Sequence, residues 1–99
     1  MAELIFYYKD ETPELDIIEK RVWKVKKSKD FPNGIKYSLV YVHKGKRVLG
    51  YDNERSKRDH KHYFEKEEKY NFTDINKLSD DFEYDVKKLR RELYGNQES

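Results

Sequence analysis

Alternating apolar and polar residues run in short stretches through most of the chain, and a longer stripe of period three to four closes it. Glu3 to Lys9 (Glu-Leu-Ile-Phe-Tyr-Tyr-Lys) is rich in aromatic and branched side chains and reads as a first strand. Asp10-Glu11-Thr12-Pro13 punctuates it as a turn. Leu15 to Lys27 carries Ile17, Ile18, Val22, Trp23 and Val25 on a charged background without a helical stripe, so it reads as a second strand, paired with the first in a hairpin. Asp30, Pro32 and Asn33-Gly34 make Ser28 to Gly34 a loop. Ile35 to His43 is the clearest strand, Lys44-Gly45 a tight turn, and Lys46 to Asn53 the returning strand.

The length of that turn decides which side chains share a face, because a shift of one residue flips them all. A two-residue loop pairs Tyr41 with Val48 and leaves Asp52 beside Tyr37; a three-residue loop pairs Tyr41 with Leu49 and Leu39 with Tyr51. The sequence admits both. Glu54 to Arg58 is a charged loop, His60 to Phe64 a short strand, and Lys69 to Phe72 another. Ile75, Leu78, Phe82, Val86, Leu89 and Leu93 then form an apolar stripe in steps of three and four, which predicts a helix. Thr73 or Asp74 can cap its start, and Gly95 lies past its end. The expected fold is α+β: an antiparallel sheet of five or six strands with one C-terminal helix packed on one face. It forms a single domain over residues 1–95, with residues 96–99 expected to be a disordered tail.

Composition changes this picture in three ways. With 99 residues, 42% of them charged and few aliphatics, the core must lean on aromatics, among them nine tyrosines, whose hydroxyls need polar partners when buried. With no cysteine, disulfides and thiolate metal sites are excluded. No apolar run approaches the roughly 20 residues that span a bilayer, and Met1-Ala2-Glu3-Leu4 lacks the order of a signal peptide. The expected location is cytoplasmic, with no membrane partner.

The net charge of +2 is small, but it is unevenly spread. From Lys44 to Lys61 seven Lys or Arg face three Asp or Glu, whereas from Tyr70 onward five face seven. The positive excess falls on Tyr51 to Tyr63, where a phosphate backbone would be attracted. That stretch also holds His60 and His62, which share one face of an extended strand, together with Asp52, Asp59, Arg55, Lys57, Arg58 and Lys61.

This chemistry suits RNA, which carries its own nucleophile in the 2′-hydroxyl. Cleavage without metal needs a base, an acid and cations near the phosphorane. His60 and His62 supply proton transfer, Asp52 or Asp59 orients an imidazole, and Arg58, Lys61 or Arg55 offsets charge. The candidate catalytic set is thus His60, His62, Asp52 and Arg58, with no metal. Arg55, Lys57, Lys61, Tyr51 and Tyr37 are the candidate nucleic-acid contacts. The same two histidines with Asp52 also make a three-ligand metal set with an open position, which the nearby cations oppose. A non-catalytic alternative is a basic sheet on which Tyr37, Tyr41 and Tyr51 stack RNA bases, provided the register turns them outward; otherwise they pack beneath the helix. The plainest alternative is a solvated loop and surface strand, with Asn53 present because Asn tolerates turn geometry. Trp23 is expected to anchor the core, and His43 has no assigned role.

Tyr51-Asp52-Asn53 followed by Asp59-His60-x-His62 resembles the signature of the TumE-like toxins of bacterial and archaeal toxin–antitoxin modules. Trp23-Lys24-Val25, Gly34-Ile35-Lys36-Tyr37-Ser38-Leu39, Tyr41-Val42 and Glu67-Glu68-x-Tyr70-x-Phe72-Thr73-Asp74 extend the resemblance over roughly residues 20 to 90. It implies a toxin whose partner is a cognate antitoxin, with a helix-turn-helix protein expected in that role. It leaves the reaction open.

Overall fold

The computed structural model describes residues 2–53 and 58–95. Strands β1 (Glu3–Glu11), β2 (Ile17–Lys24), β3 (Ile35–His43), β4 (Lys46–Asp52), β5 (His60–Tyr63) and β6 (Lys66–Lys69) precede the helix α1 (Ile75–Tyr94). The strands form one antiparallel meander in chain order, β1 to β6. The α+β fold with a single C-terminal helix is therefore as expected. The tail 96–99 lies outside the described residues. No helix among the described residues is long and apolar enough to cross a membrane.

The β3–β4 hairpin resolves the ambiguity of register by using both alternatives. Lys44 and Gly45 form a two-residue turn, both at positive φ (51° and 75°), the geometry that matches strand twist. His43 accordingly faces Lys46 and Val42 faces Arg47, but a bulge then shifts the ladder so that Tyr41 faces Leu49, Leu39 faces Tyr51 and Ser38 faces Asp52. The tight turn closes the hairpin, and the extra residue beyond it turns Tyr51 under the helix and Asp52 to the other side.

The pairings line up as rows across the sheet. Ile18, Tyr41, Leu49 and Tyr63 form one row on the helix side, and Lys20, Leu39, Tyr51 and Lys61 the next. Against them α1 lays Leu78, Phe82, Val86 and Leu89, all buried with Val22, Tyr37, Leu39, Tyr41, Leu49 and Tyr51. Asp74 caps the helix, accepting from the Lys77 N–H at 2.8 Å. Trp23 lies outside this core; it pairs with Leu4 and Lys36 on the opposite face, with the Lys36 ammonium 5.1 Å from its ring. As the only tryptophan it was the natural anchor, but the parity of β2 gives Val22 the inward position.

Tyrosine hydroxyls pass from this core to carboxylates at its margin. Tyr37 donates to Asp59 (2.7 Å), Tyr41 to Asp16 (2.7 Å), Tyr51 to Asp85 (2.5 Å) and Tyr70 to Asp81 (2.6 Å). Burial, followed by these bonds, raises each of the four phenol pKa values, so all remain donors at any physiological pH. The buried Lys20 is likewise tied down, by Ser79 at 2.9 Å and by Glu83. Aromatic rings thus supply the area that the scarce aliphatics do not.

Two short elements depart from expectation. Strand β5 ends at Tyr63 because Phe64, at φ 57°, begins a two-residue turn into β6. The last strand is Lys66–Lys69 rather than Lys69 to Phe72. Tyr70 and Phe72 pack on the core instead: Phe72 stacks on Tyr37 at 5.3 Å, and Tyr70 meets Tyr51 edge-on at 4.9 Å.

Candidate active site on the open sheet face

The side of the sheet away from α1 carries the polar cluster. Because β4 and β5 pair antiparallel, Asp52 sits directly opposite His60 and Gly50 opposite His62. Strand β6 then sets Lys69 opposite His60 and Glu67 opposite His62. One row therefore reads Arg21, Ser38, Asp52, His60, Lys69, and its neighbour Glu19, Val40, Gly50, His62, Glu67. Asp52 and His60, eight positions apart in the sequence, are brought into contact by strand pairing.

His60 is 4% exposed and held at both ring nitrogens. Nδ1 lies 2.9 Å from the Arg58 carbonyl oxygen, and Nε2 lies 2.9 Å from Asp52 Oδ1. Glu67 Oε2 is 3.7 Å from the same Nε2. The His62 ring meets His60 edge-on, with centroids 4.9 Å apart, and remains partly open to solvent. Burial, together with the charges of Arg47 and His60, holds the His62 pKa below the ordinary imidazole value against the pull of Glu67 and Asp52. Ligand atoms of Asp52, His60 and His62 all lie within 4.8 Å of one another.

The other predicted contacts are placed elsewhere. Tyr37 and Tyr51 are each 1% exposed beneath the helix, so neither ring can stack a base, and Tyr41 at 0% is buried with them. The bulge in β4 and the alternation of β3 put these rings inward, which removes the tyrosine platform. Lys61, between the two histidines in sequence, points to the helix side and binds Asp85 at 3.2 Å, with its ammonium 5.6 Å from the Tyr51 ring. Arg58 is exposed at φ 62° and serves His60 through its carbonyl, while its side chain lines a hollow with Lys29, Asn33, Asn53 and Asp59. Arg55 and Lys57 lie outside the described residues. Asn53 does more than tolerate a turn: its Oδ1 accepts from the Tyr37 N–H at 2.9 Å, and its Nδ2 donates to the Ile35 carbonyl at 2.7 Å, closing the β3–β4 ladder below the site.

Two residues join the cluster that sequence reasoning did not assign. Arg47 lies across Gly50, where a Cβ would come within 3.2 Å of its Cδ, and so reaches toward His62 on the open face. The two-residue turn sets its side, and the bulge, which nothing nearby signals, brings Gly50 and Asp52 round to share it. Glu67 belongs to a quoted motif, but its approach to His60 needed the β5–β6 pairing. Among the described residues no other group of histidines and carboxylates converges in this way.

A family model described as Toxin TumE matches residues 3–90. No curated protein matches the chain, and no solved structure does.

Proposed function

The chain belongs to the TumE toxin family, its match covering residues 3–90, and from that premise we propose that it is a toxin that cleaves RNA on the open face of its sheet. The observation that supports this most is the meeting of Asp52, His60 and His62 beside Arg47 on the face that the helix leaves bare. Arg47 and Lys69 flank the trio and suit a phosphodiester, whose charge grows as the 2′-hydroxyl attacks. Trp23, with the Lys36 ammonium above its ring, lies two strands away on the same face and offers a surface for a neighbouring base.

The trio does not suit a pair of exchanging imidazoles. Both nitrogens of His60 are engaged by oxygens, so only His62 can meet a substrate directly. His60 is a positioning residue in this arrangement, linked to Asp52. The partner is a cognate antitoxin, a helix-turn-helix protein in our reading, and the site of action is the cytoplasm.

Purified protein incubated with total RNA tests the proposal. Strand cleavage is expected, and His62→Ala should lower its rate by at least ~100-fold while circular dichroism shows the fold retained. Trp23→Ala should raise KM more than it lowers kcat, since stacking contributes ~1–3 kcal/mol to binding. Intact RNA from a preparation that still arrests growth in cells would sink the ribonuclease reading.

A further inference from the structure

We propose that Asp52, His60 and His62 bind a divalent transition-metal cation of the zinc class. The inference shares its side chains with the ribonuclease reading, yet it concerns binding and can be tested apart from cleavage. Two imidazoles and one carboxylate are the donor set of an open three-ligand site, which leaves a coordination position for water or substrate oxygen.

Three observations carry it. The first is distance. Zinc sits about 2.0–2.2 Å from N and O ligands, so adjacent ligands of a tetrahedral site lie about 3.3–3.6 Å apart, a spacing that the trio's separations bracket. His60 Nε2 and Asp52 Oδ1 are 2.9 Å apart, and the trio's ligand atoms are all within 4.8 Å. The His62 ring is partly open to solvent, so it is the member of the trio with room to turn its nitrogen toward that shell.

The second is orientation. The Arg58 carbonyl can only accept, so His60 Nδ1 carries a proton and donates at 2.9 Å. Such an outer hydrogen bond to a backbone carbonyl is how metal-binding histidines are commonly aimed, with the opposite nitrogen toward the ion. In this chain that opposite nitrogen points at Asp52 and has a second carboxylate, Glu67, at 3.7 Å.

The third is charge. The cation nearest in sequence, Lys61, would oppose a metal, but it is turned to the helix side and spent on Asp85. Asp52 and Glu67 on the open face offset Arg47 and Lys69 there. A cation in this position would also supply what the fixed His60 does not, a Lewis acid for a phosphoryl oxygen.

The experiment is a titration of chelator-treated, dialysed protein with Zn²⁺, Mn²⁺ or Mg²⁺ by calorimetry, with Co²⁺ absorption reporting the geometry. We expect one Zn²⁺ or Co²⁺ per chain and a melting temperature raised by Zn²⁺ much more than by Mg²⁺. His62→Ala and Asp52→Asn should each weaken binding at least ~100-fold. His60 is buried, so the partly exposed His62 and Asp52, whose replacement spares the packing, carry the test. No stoichiometric Zn²⁺ or Co²⁺ binding, or binding unchanged in both variants, overturns the metal site. RNA cut equally well in EDTA by a chain that takes up no metal would overturn it while leaving the ribonuclease reading standing. Metal bound by the trio with RNA left intact would do the reverse.

Discussion

At Asp16, 1% exposed, donors from β3 and α1 converge. The hydroxyls of Tyr41 and Tyr94 lie at 2.7 and 2.6 Å, His43 Nδ1 at 3.0 Å, and the Arg90 guanidinium at 3.6 Å. Burial by itself raises a carboxyl pKa, but the hydrogen bonds from Tyr94, Tyr41 and His43 outweigh it and leave Asp16 below its ordinary value. A carboxylate with a depressed folded pKa contributes stability that is present above its unfolded pKa of about 3.9 and lost as pH falls through the folded value. Urea midpoints should therefore fall with acidification below pH ~4, and Asp16→Asn should flatten that acid limb while lowering stability at neutrality. An unchanged acid limb in Asp16→Asn would assign the loss to other carboxylates. His43, which looked idle in the sequence, takes its part here because β3 ends beside the last turn of α1.

At the scale of elements, α1 is where packing is most concentrated. Phe82 is 0% exposed and meets Tyr51 edge-on at 5.8 Å. Phe82→Ala should cost about 3–5 kcal/mol in denaturant unfolding, much of the stability of a domain this size. A loss below ~1 kcal/mol would mean that the helix is held by its polar margin rather than by this seam. The helix was readable because a repeat of three and four residues is a local pattern, and β3 because its alternation is local too. The bulge in β4 was not, since an extra residue in a ladder leaves no mark on composition. With it went the common face of Arg47 and Asp52 and the inward turn of Tyr51. Asp52, His60 and His62 could be grouped from spacing and expected pairing, whereas Asp85, Asp16 and Glu67 gain their partners only when distant strands meet. Polar residues that complete a tyrosine or a histidine look, in the sequence, like any other surface charge.

At the scale of the whole molecule, the two ends of the sheet are unequal. Strand β6 closes one end with four residues, Lys-Glu-Glu-Lys, short and charged. Strand β1 forms the other end with nine residues, and Leu4, Ile5, Phe6, Tyr7 and Tyr8 are 43–50% exposed there. Its outer row of backbone N–H and C=O groups has no neighbouring strand among the described residues. Long apolar edges of this kind template further strands, and charge at an edge prevents it. The purified polypeptide should therefore self-associate through a single end. Light scattering should climb with concentration, Ile5→Lys should suppress it without changing the circular dichroism, and Glu68→Lys should leave it as it was. Equal scattering from wild type and Ile5→Lys would place the liability elsewhere. Growth that can start at only one end halts once two such ends have met. What accumulates in concentrated stocks should then be soluble pairs, not fibres.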